Sequence, residues 1–200
     1  MKKTQEQIWE GIANSWNERR NRPLKETIEF LKDKKGNILD LCCGSGRNFC
    51  KIEGKLYGVD FSEKMLEYAE EKAKKLGIEC EFIKANADKL PFEYNFFDAA
   101  IFIGGLHCIE SKENRERALK ELFRVLALGG RVLIMVWCKN NKRIKGRTGE
   151  MIIPWSAGGK KYQRFSYIYE SEELKRLLRN IGFKIIKTEE NENIVVEIEK

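Results

Sequence analysis

The chain has 200 residues, of which 42% are hydrophobic and 34% charged, the composition of one soluble globular domain with a sizeable core. It has no apolar run of membrane-spanning length, and its N-terminal MKKTQEQIWEG lacks the apolar stretch of a signal peptide, so we expect a cytoplasmic protein without membrane association. The net charge of +7 favours a polyanionic partner such as RNA, while six cysteines without C-x-x-C spacing and a single histidine predict reduced thiols and no metal site.

The N-terminal segment, residues 4–32, is predicted to form two helices separated near Pro23. Its large apolar residues recur at helical spacing and would cover one face of the core or line a site: Ile8, Trp9, Ile12 and Trp16. Arg20 and Arg22 flank the break, where a chain leaves the body of a domain and can cover a pocket. We therefore expect residues 1–35 to form a helical cap.

The next element is a short strand followed by a glycine turn. Residues 38–41 read Ile-Leu-Asp-Leu, an apolar run that contains one carboxylate, Asp40, and predicts a buried strand. Gly44 and Gly46 follow, and glycine lets the backbone turn sharply and approach a ligand closely. A strand, a glycine turn and a helix in this order are typical of a nucleotide-type site at the carboxyl end of a parallel sheet.

Two features of this stretch argue against a dinucleotide. The dinucleotide fingerprint needs a third glycine three residues after the second, and that position holds Phe49. Asp40 would repel a pyrophosphate, whereas its negative charge suits a cation, such as the ammonium and sulfonium groups of S-adenosylmethionine. We therefore expect a cationic cofactor, and a short helix over Asn48–Glu53 after the turn.

A second strand is predicted within Leu56–Ser62. It ends near Asp60, twenty residues after the first carboxylate, and an acidic residue at such a distance can accept both ribose hydroxyls. Ser62 is predicted to cap the following helix, which should end at Gly77. Residues Cys80–Ala85 are a third strand candidate.

The fourth strand is predicted over Phe97–Ile103, which is nearly continuous in apolar character as a central parallel strand should be. His107 follows it at the end that faces the reacting group in such folds, so we weigh a substrate contact against a structural role. An amphipathic helix over Arg115–Leu126 and a fifth strand over Arg131–Trp137 come next.

The segment after Trp137 is rich in basic residues, which are either solvated loop charge or RNA contacts: Lys139, Lys142, Arg143, Lys145 and Arg147. A last helix is predicted over Glu172–Asn180, and Lys184–Glu189 with Ile194–Glu199 should form a hairpin. The alternation of strands and helices predicts one doubly wound α/β domain with a seven-stranded, mostly parallel sheet. Residues 36–137 would form the cofactor-binding core, and residues 138–200 a substrate loop and the C-terminal hairpin.

The sequence ILDLCCGSG at residues 38–46 resembles the first motif of class I S-adenosylmethionine-dependent methyltransferases, with Cys42 where that family often has glycine. Residues 86–92 resemble the adenine-binding stretch Asp-Ala-x-x-Leu-Pro-Phe, with Asn86 at the acidic position and Asp88 as the alternative in a shifted register. The resemblance implies a Rossmann-like sheet whose last strand inserts antiparallel. It also implies these cofactor contacts: Asp40, Cys42, Gly44, Gly46, Asp60, Phe61, Asn86, Ala87 and Ile103.

The rest of the chain resembles the tRNA wobble-uridine carboxymethyl methyltransferases, which esterify the carboxylate of 5-carboxymethyluridine in the anticodon. Residues 12–20 parallel that family's Ile-Ala-x-His-Phe-Ser-x-Thr-Arg and place its arginine on Arg20, although Ser15 and Arg19 depart from the pattern. The other similar segments are Val136-Trp137, Ile153-Pro154-Trp155, Tyr162-Gln163-Arg164-Phe165 and Glu192-Asn193.

This resemblance assigns expected roles on the acceptor side. Arg20 and Arg164 would hold the carboxylate or a neighbouring phosphate, and His107 and Asn193 would contact the uracil or the acid. Two further aromatic residues would stack on a base or pack in the core: Trp155 and Tyr162.

The resemblance also implies two partners, the tRNA anticodon loop and a small zinc-ribbon activator subunit. One alternative is a methyltransferase that acts on a small molecule, such as a quinone precursor or a carboxylic acid. Another is a non-catalytic binding subunit that keeps the fold.

Overall fold

The computed structural model of this chain describes residues 3–200, so Met1 and Lys2 of the predicted cap lie outside the described residues. Its α-helices are α1 (Gln5–Arg19), α2 (Lys25–Leu31), α3 (Glu63–Leu76), α4 (Lys112–Val125) and α5 (Ser171–Ile181). Its strands are β1 (Lys35–Leu41), β2 (Glu53–Asp60), β3 (Cys80–Lys84), β4 (Phe97–Ile103), β5 (Leu126–Trp137), β6 (Gly149–Ala157), β7 (Lys160–Ile168), β8 (Lys184–Glu190) and β9 (Asn193–Glu199).

Seven of the strands form one sheet in the order β3-β2-β1-β4-β5-β9-β8. Strands β1 to β5 run parallel, and β9 lies antiparallel between β5 and β8. This confirms the predicted doubly wound sheet and its inserted antiparallel strand. The chain order reverses between β1 and β4, which opens a crevice at their carboxyl ends where such folds bind ligands.

Helices cover both faces of the sheet. On one face, α2 and α3 pack against the sheet through Phe30, Leu31, Leu66 and Ala69. On the other face, α4 and α5 pack through Leu119, Leu122, Leu174 and Leu178. Helix α3 begins and ends as predicted, because the Oγ of Ser62 accepts from the amide of Met65 and Gly77 adopts a left-handed conformation. Between residues 3 and 200, no helix is both long and apolar enough to cross a membrane.

The short helix predicted over Asn48–Glu53 is wrong. The chain makes tight turns over residues 44–48 and has no regular structure over residues 49–52, and β2 already begins at Glu53. Gly54 lies directly against Gly36 of β1, where a Cβ atom would stand 2.1 Å from the Gly36 carbonyl oxygen. This close approach of two glycines starts the parallel pairing early, so too few residues remain between the strands for a helix.

Strands β6 and β7 form a separate hairpin, in a segment that was predicted as a loop. The hairpin turns at Gly158 and Gly159, which both have positive φ angles, 55° and 72°. It packs on α1 through an apolar cluster: Ile8, Ile12, Trp155 and Tyr162. Helix α1 is also tied to α3, because the hydroxyl of Tyr68 donates to Asn14 Oδ1 at 3.1 Å. Helix α1 and the hairpin together form a cap over the crevice.

Candidate active site

A cavity of about 660 Å³ opens at the carboxyl ends of the parallel strands and is covered by the cap. This volume lies in the range of small-molecule and cofactor sites. Most of the predicted site residues line it: Arg20, Cys42, Gly44, Asp60, Phe61, Asn86, Ala87, Ile103, His107, Arg164 and Asn193. Asp40 and Gly46 are predicted site residues that do not line it. The fold thus brings the cofactor and acceptor candidates, which are distant in sequence, into one space.

Asp60 fastens the glycine turn to the end of β2. Its Oδ2 accepts from the amide of Gly44 at 2.9 Å, and its Oδ1 accepts from the amide of Ser62 at 2.9 Å. Burial raises the pKa of Asp60 to about 6, although these two hydrogen bonds oppose the shift. Each carboxylate oxygen keeps a lone pair for a donor in the cavity.

Asp40 is a buried carboxylate without a compensating donor. It is 1% exposed, and its Oδ2 has no hydrogen-bond partner among residues 3–200. Burial raises the pKa of Asp40 well above its usual range, and the neighbouring charge of Asp60 raises it further. An uncompensated buried carboxylate is costly, and a nearby cationic ligand relieves that cost. The two acids therefore make this end of the cavity suited to a positively charged ligand.

The conformation of Cys42 explains why position 105, which lies against it in space, is a glycine. Its φ angle is 58°, a left-handed conformation that costs a residue with a side chain roughly 1–2 kcal/mol. The side chain lies against Gly105, where a Cβ atom would stand 2.5 Å from the Cys42 Cβ. All six cysteines are free thiols, and Cys43 and Cys138 are buried. The Cys42 side chain, which the usual glycine would lack, is thus accommodated by Gly105.

The loop after β3 is held by one ion pair on α4. Glu121 accepts from the amide of Leu90 at 2.7 Å, and Arg124 donates to the carbonyls of Leu90 and Phe92 at 2.9 and 2.7 Å. The carboxylate of Asp88 is engaged by Arg117, at 3.1 Å from its Nη2. Asn86 is exposed and lines the cavity, so its amide is available to a ligand there.

Arg164 is buried against three tryptophans on the opposite side of the cavity. It is 2% exposed, and its guanidinium carbon lies 5.4, 5.5 and 4.9 Å from the ring centroids of Trp9, Trp16 and Trp155. The indole nitrogen of Trp155 donates to Ser15 Oγ at 2.8 Å, which fixes that ring. We call the three rings the tryptophan cage.

Arg164 lacks an acidic partner within the described part of the chain, and its buried Nε has no hydrogen-bond acceptor there. Burial lowers the pKa of Arg164, and the charges of Arg143 and Arg20 lower it further. A buried, unpaired guanidinium that faces a cavity is poised to bind an anion. Of the two alternatives for Trp155 and Tyr162, the structure favours packing, because both side chains pack inside the cap and neither lines the cavity.

His107 lines the cavity between the end that holds Asp60 and the side that holds Arg164. It is 3% exposed and stacks on Trp137, and its Nδ1 accepts from the Trp137 amide at 3.4 Å. Burial lowers the pKa of His107 to about 3, and the charge of Arg164 adds to the shift. At neutral pH the ring is therefore uncharged with its proton on Nε2, so it can donate a hydrogen bond but cannot act as a general base. Asn193 begins β9 directly opposite Trp137.

Residues 38–130 match a family described as a methyltransferase domain. A demethylmenaquinone methyltransferase from Lactococcus lactis is 33% identical over 183 residues, which cover 81% of this chain and 71% of that protein. The chain is a class I S-adenosylmethionine-dependent methyltransferase.

Two further similarities were found. A probable tRNA methyltransferase 9B from Mus musculus is 31% identical over 153 residues, which are 74% of this methyltransferase but only 33% of that protein. The chain therefore spans about a third of the length of that relative. An S-adenosylmethionine-dependent methyltransferase of solved structure from Methanosarcina mazei matches with a TM-score of 0.72 and 23% identity, covering 89% of this chain and 98% of that chain, and shares the fold.

S-adenosylmethionine is the cofactor of this methyltransferase, and when bound it supplies a methyl group on a positively charged sulfur. The residues present fit it, because the carboxyl group of Asp60 lines the cavity and the buried Oδ2 of Asp40 has no hydrogen-bond donor among residues 3–200. Asp60 would accept from the ribose, and Asn86 from the adenine amino group. These individual contacts stay predictions.

Two features of the methyltransferase site were not predicted. Trp9 and Trp16 were expected mainly as packing residues, yet they hold the charge of Arg164. Their seven-residue spacing on one helix face, together with an arginine among aromatics at Tyr162–Phe165, was the available signal. Arg143 was only one member of a basic loop, and it lines the cavity because the loop folds toward it.

Proposed function

We propose that this methyltransferase esterifies the carboxylate of 5-carboxymethyluridine at the wobble position of tRNA. One observation carries the proposal: Arg164 is a buried guanidinium without an acidic partner in residues 3–200, and it lines the same cavity as Asp60. This pairing of a cation-binding end with an anion-binding side suits an anionic methyl acceptor. The similarity to the mouse protein named probable tRNA methyltransferase 9B supports RNA as the molecule that carries the acceptor.

The chemistry needs orientation more than proton transfer. A carboxylate oxygen is already nucleophilic at neutral pH, so no side chain has to remove a proton. Arg164 holds the carboxylate so that one oxygen points at the methyl group, and Arg20 holds the same carboxylate or a neighbouring phosphate. His107 donates from Nε2 to the acid or the uracil, and Asn193 supplies an amide beside it. The absence of a required base agrees with the pKa of about 3 for His107.

Two partners belong to this proposal. The anticodon loop of tRNA is the substrate, and we place the reaction in the cytoplasm, where that loop is modified. A small zinc-ribbon subunit would act as an activator by covering an apolar surface of the catalytic domain. Co-expression with such a subunit should raise soluble yield and activity, and full activity of the chain alone would remove the subunit from the proposal.

A second candidate is methylation of a small molecule. The demethylmenaquinone methyltransferase of Lactococcus lactis favours it, because that relative aligns over most of its own length. A neutral quinone precursor has no group that would use the unpaired charge of Arg164, so we rank this candidate second. It predicts turnover without tRNA.

Mass spectrometry of tRNA nucleosides tests the proposal. A strain that lacks this gene should accumulate 5-carboxymethyluridine and lose the methyl ester. The purified protein with S-adenosylmethionine should restore the ester on that tRNA. An unchanged nucleoside profile in the deletion strain, together with turnover of a quinone precursor by the protein alone, would establish the second candidate instead.

A further inference from the structure

Four arginines line the cavity, which is more positive charge than one carboxylate requires. The Nε of Arg47 donates to the Arg22 carbonyl at 3.0 Å. The other three come from the end of α1, from the loop after β5 and from β7: Arg20, Arg143 and Arg164. We propose that Arg20 and Arg143 form a second anion subsite at the cavity mouth, which binds a phosphodiester of the nucleotide that carries the acceptor carboxylate. This subsite rests on the proposed function, because it names how the same substrate is held.

The loop that carries Arg143, residues 138–148, is folded rather than loosely solvated. Ile144 is 1% exposed and anchors it in the protein. The amide of Ile144 donates to the Asn141 carbonyl at 2.8 Å, and the amide of Gly146 donates to the Lys139 carbonyl at 3.1 Å. The amide of Arg143 itself donates to Asn141 Oδ1 at 3.1 Å. The backbone is thus fixed where it presents Arg143 to the cavity.

Some basic side chains of this loop form ion pairs, and others do not. Lys139 and Lys142 lie 3.9 and 2.8 Å from the carboxylates of Glu170 and Glu192. Arg143 makes no ion pair with any residue that the structure describes. Its positive charge is thereby left uncompensated on the side that faces the cavity.

Arg20 is the second member of the subsite. Its amide donates to the Trp16 carbonyl at 2.8 Å, so the backbone is fixed at the end of α1. Its guanidinium carbon lies 5.7 Å from the centroid of the Trp16 ring. Burial lowers the pKa of Arg20, and the charge of Arg143 lowers it further, which agrees with the two groups being close. An anion between them would remove this repulsion.

The three arginines differ in how deeply they are buried, and this difference indicates two separate anion sites. Arg164 is buried in the tryptophan cage, and one planar guanidinium matches one carboxylate in a bidentate pair. Arg20 is half-buried and Arg143 is exposed at the mouth, where the backbone of a bound nucleotide would lie in contact with water. Guanidinium groups also match phosphate oxygens bidentately, so a phosphodiester is the anion this position suits.

Phosphate binding by the full chain tests the subsite without any methyl acceptor. Inorganic phosphate is titrated against the protein at low ionic strength, and tryptophan fluorescence reports occupancy because Arg20 lies over Trp16. Arg143→Gln should weaken binding by about tenfold or more, as expected for loss of a charge-assisted hydrogen bond. Arg147→Gln is the matched control, because Arg147 is an exposed arginine of the same loop that does not line the cavity.

Kinetics on tRNA provide the second measurement. Arg143→Gln should raise the KM for tRNA by about tenfold, leave kcat nearly unchanged and reduce the salt dependence of binding by about one ion, whereas Arg147→Gln should leave all three near wild type. Equal behaviour of the two variants in both measurements, or no phosphate binding by the wild type, overturns the subsite. If the subsite is overturned but tRNA is methylated, the proposed function stands without the subsite. If phosphate binding follows Arg143 but no tRNA is methylated, the proposed function fails and the anion site remains.

Discussion

Replacing Arg164 by methionine should separate function from stability. Arg164 is 2% exposed, lies against Trp9, Trp16 and Trp155, and has no acidic partner in residues 3–200. Methionine has a similar length and fills the space without charge. If Arg164 is kept for an anionic acceptor, its loss should remove activity while the fold remains.

The magnitudes follow from the contacts. A cation–π contact contributes about 0.5–2 kcal/mol, so the tryptophan cage contributes roughly 2–5 kcal/mol in all. The effective penalty for a buried, unpaired ion is also several kcal/mol. These terms nearly cancel, so Arg164→Met should change the free energy of unfolding by less than about 1 kcal/mol, or raise it. Loss of the bidentate pair with a carboxylate should cost about 3 kcal/mol, which is roughly 100-fold in kcat/KM.

Urea denaturation and steady-state kinetics on tRNA measure these two quantities. Arg115→Met is the matched control, because Arg115 is also buried beside aromatic rings but donates to the Ile109 carbonyl at 3.0 Å and does not line the cavity. That variant should be destabilised by about 1–3 kcal/mol and should keep its activity per folded molecule. The reasoning is refuted if Arg164→Met unfolds as readily as the control, or if it retains wild-type kcat/KM.

Three further outcomes are expected. The ionised form of Asp60 prevails above its pKa of about 6, so the affinity for S-adenosylmethionine in calorimetry should fall about tenfold between pH 7 and pH 5; a flat profile would exclude the ribose contact. Gly105→Ala should lower the free energy of unfolding in urea by about 1–3 kcal/mol because its Cβ meets Cys42, and adding Cys42→Gly should restore part of that loss. Arg124→Ala frees the carbonyls of Leu90 and Phe92, so cofactor affinity should fall about tenfold while kcat at saturation changes little.

The cofactor side could be predicted because its signals are local. Asp40 and the glycine turn lie within a few residues of each other, and β4 was predicted with its bounds, Phe97–Ile103. Ser62 and Gly77 mark the ends of α3 through hydrogen bonds and backbone angles that involve only their neighbours. Such features depend on residue type and spacing, which a sequence displays directly.

The remaining features depend on contacts between distant residues. The helix expected over Asn48–Glu53 is displaced because Gly54 pairs closely with Gly36, which neither glycine indicates alone. The β6–β7 hairpin was missed although Gly158 and Gly159 are a hairpin signal, because Pro154 weakens the strand pattern; a two-stranded sheet tolerates it. The tryptophan cage joins α1 to the hairpin, so it could not be inferred before the hairpin was known.

The positions of the acids and the arginines suit the charges of the proposed reaction. In that reaction a cationic methyl donor and an anionic carboxylate become an uncharged thioether and an uncharged ester, so the site would have to attract opposite charges in adjacent positions without letting its own acids and bases neutralise each other. The acids sit at the ends of β1 and β2, rigid central strands, whereas the arginines come from the cap and the loop after β5. Placing Asp60 and Arg164 on separate layers keeps the two side chains apart, and only the folded cap over the sheet brings both to one cavity.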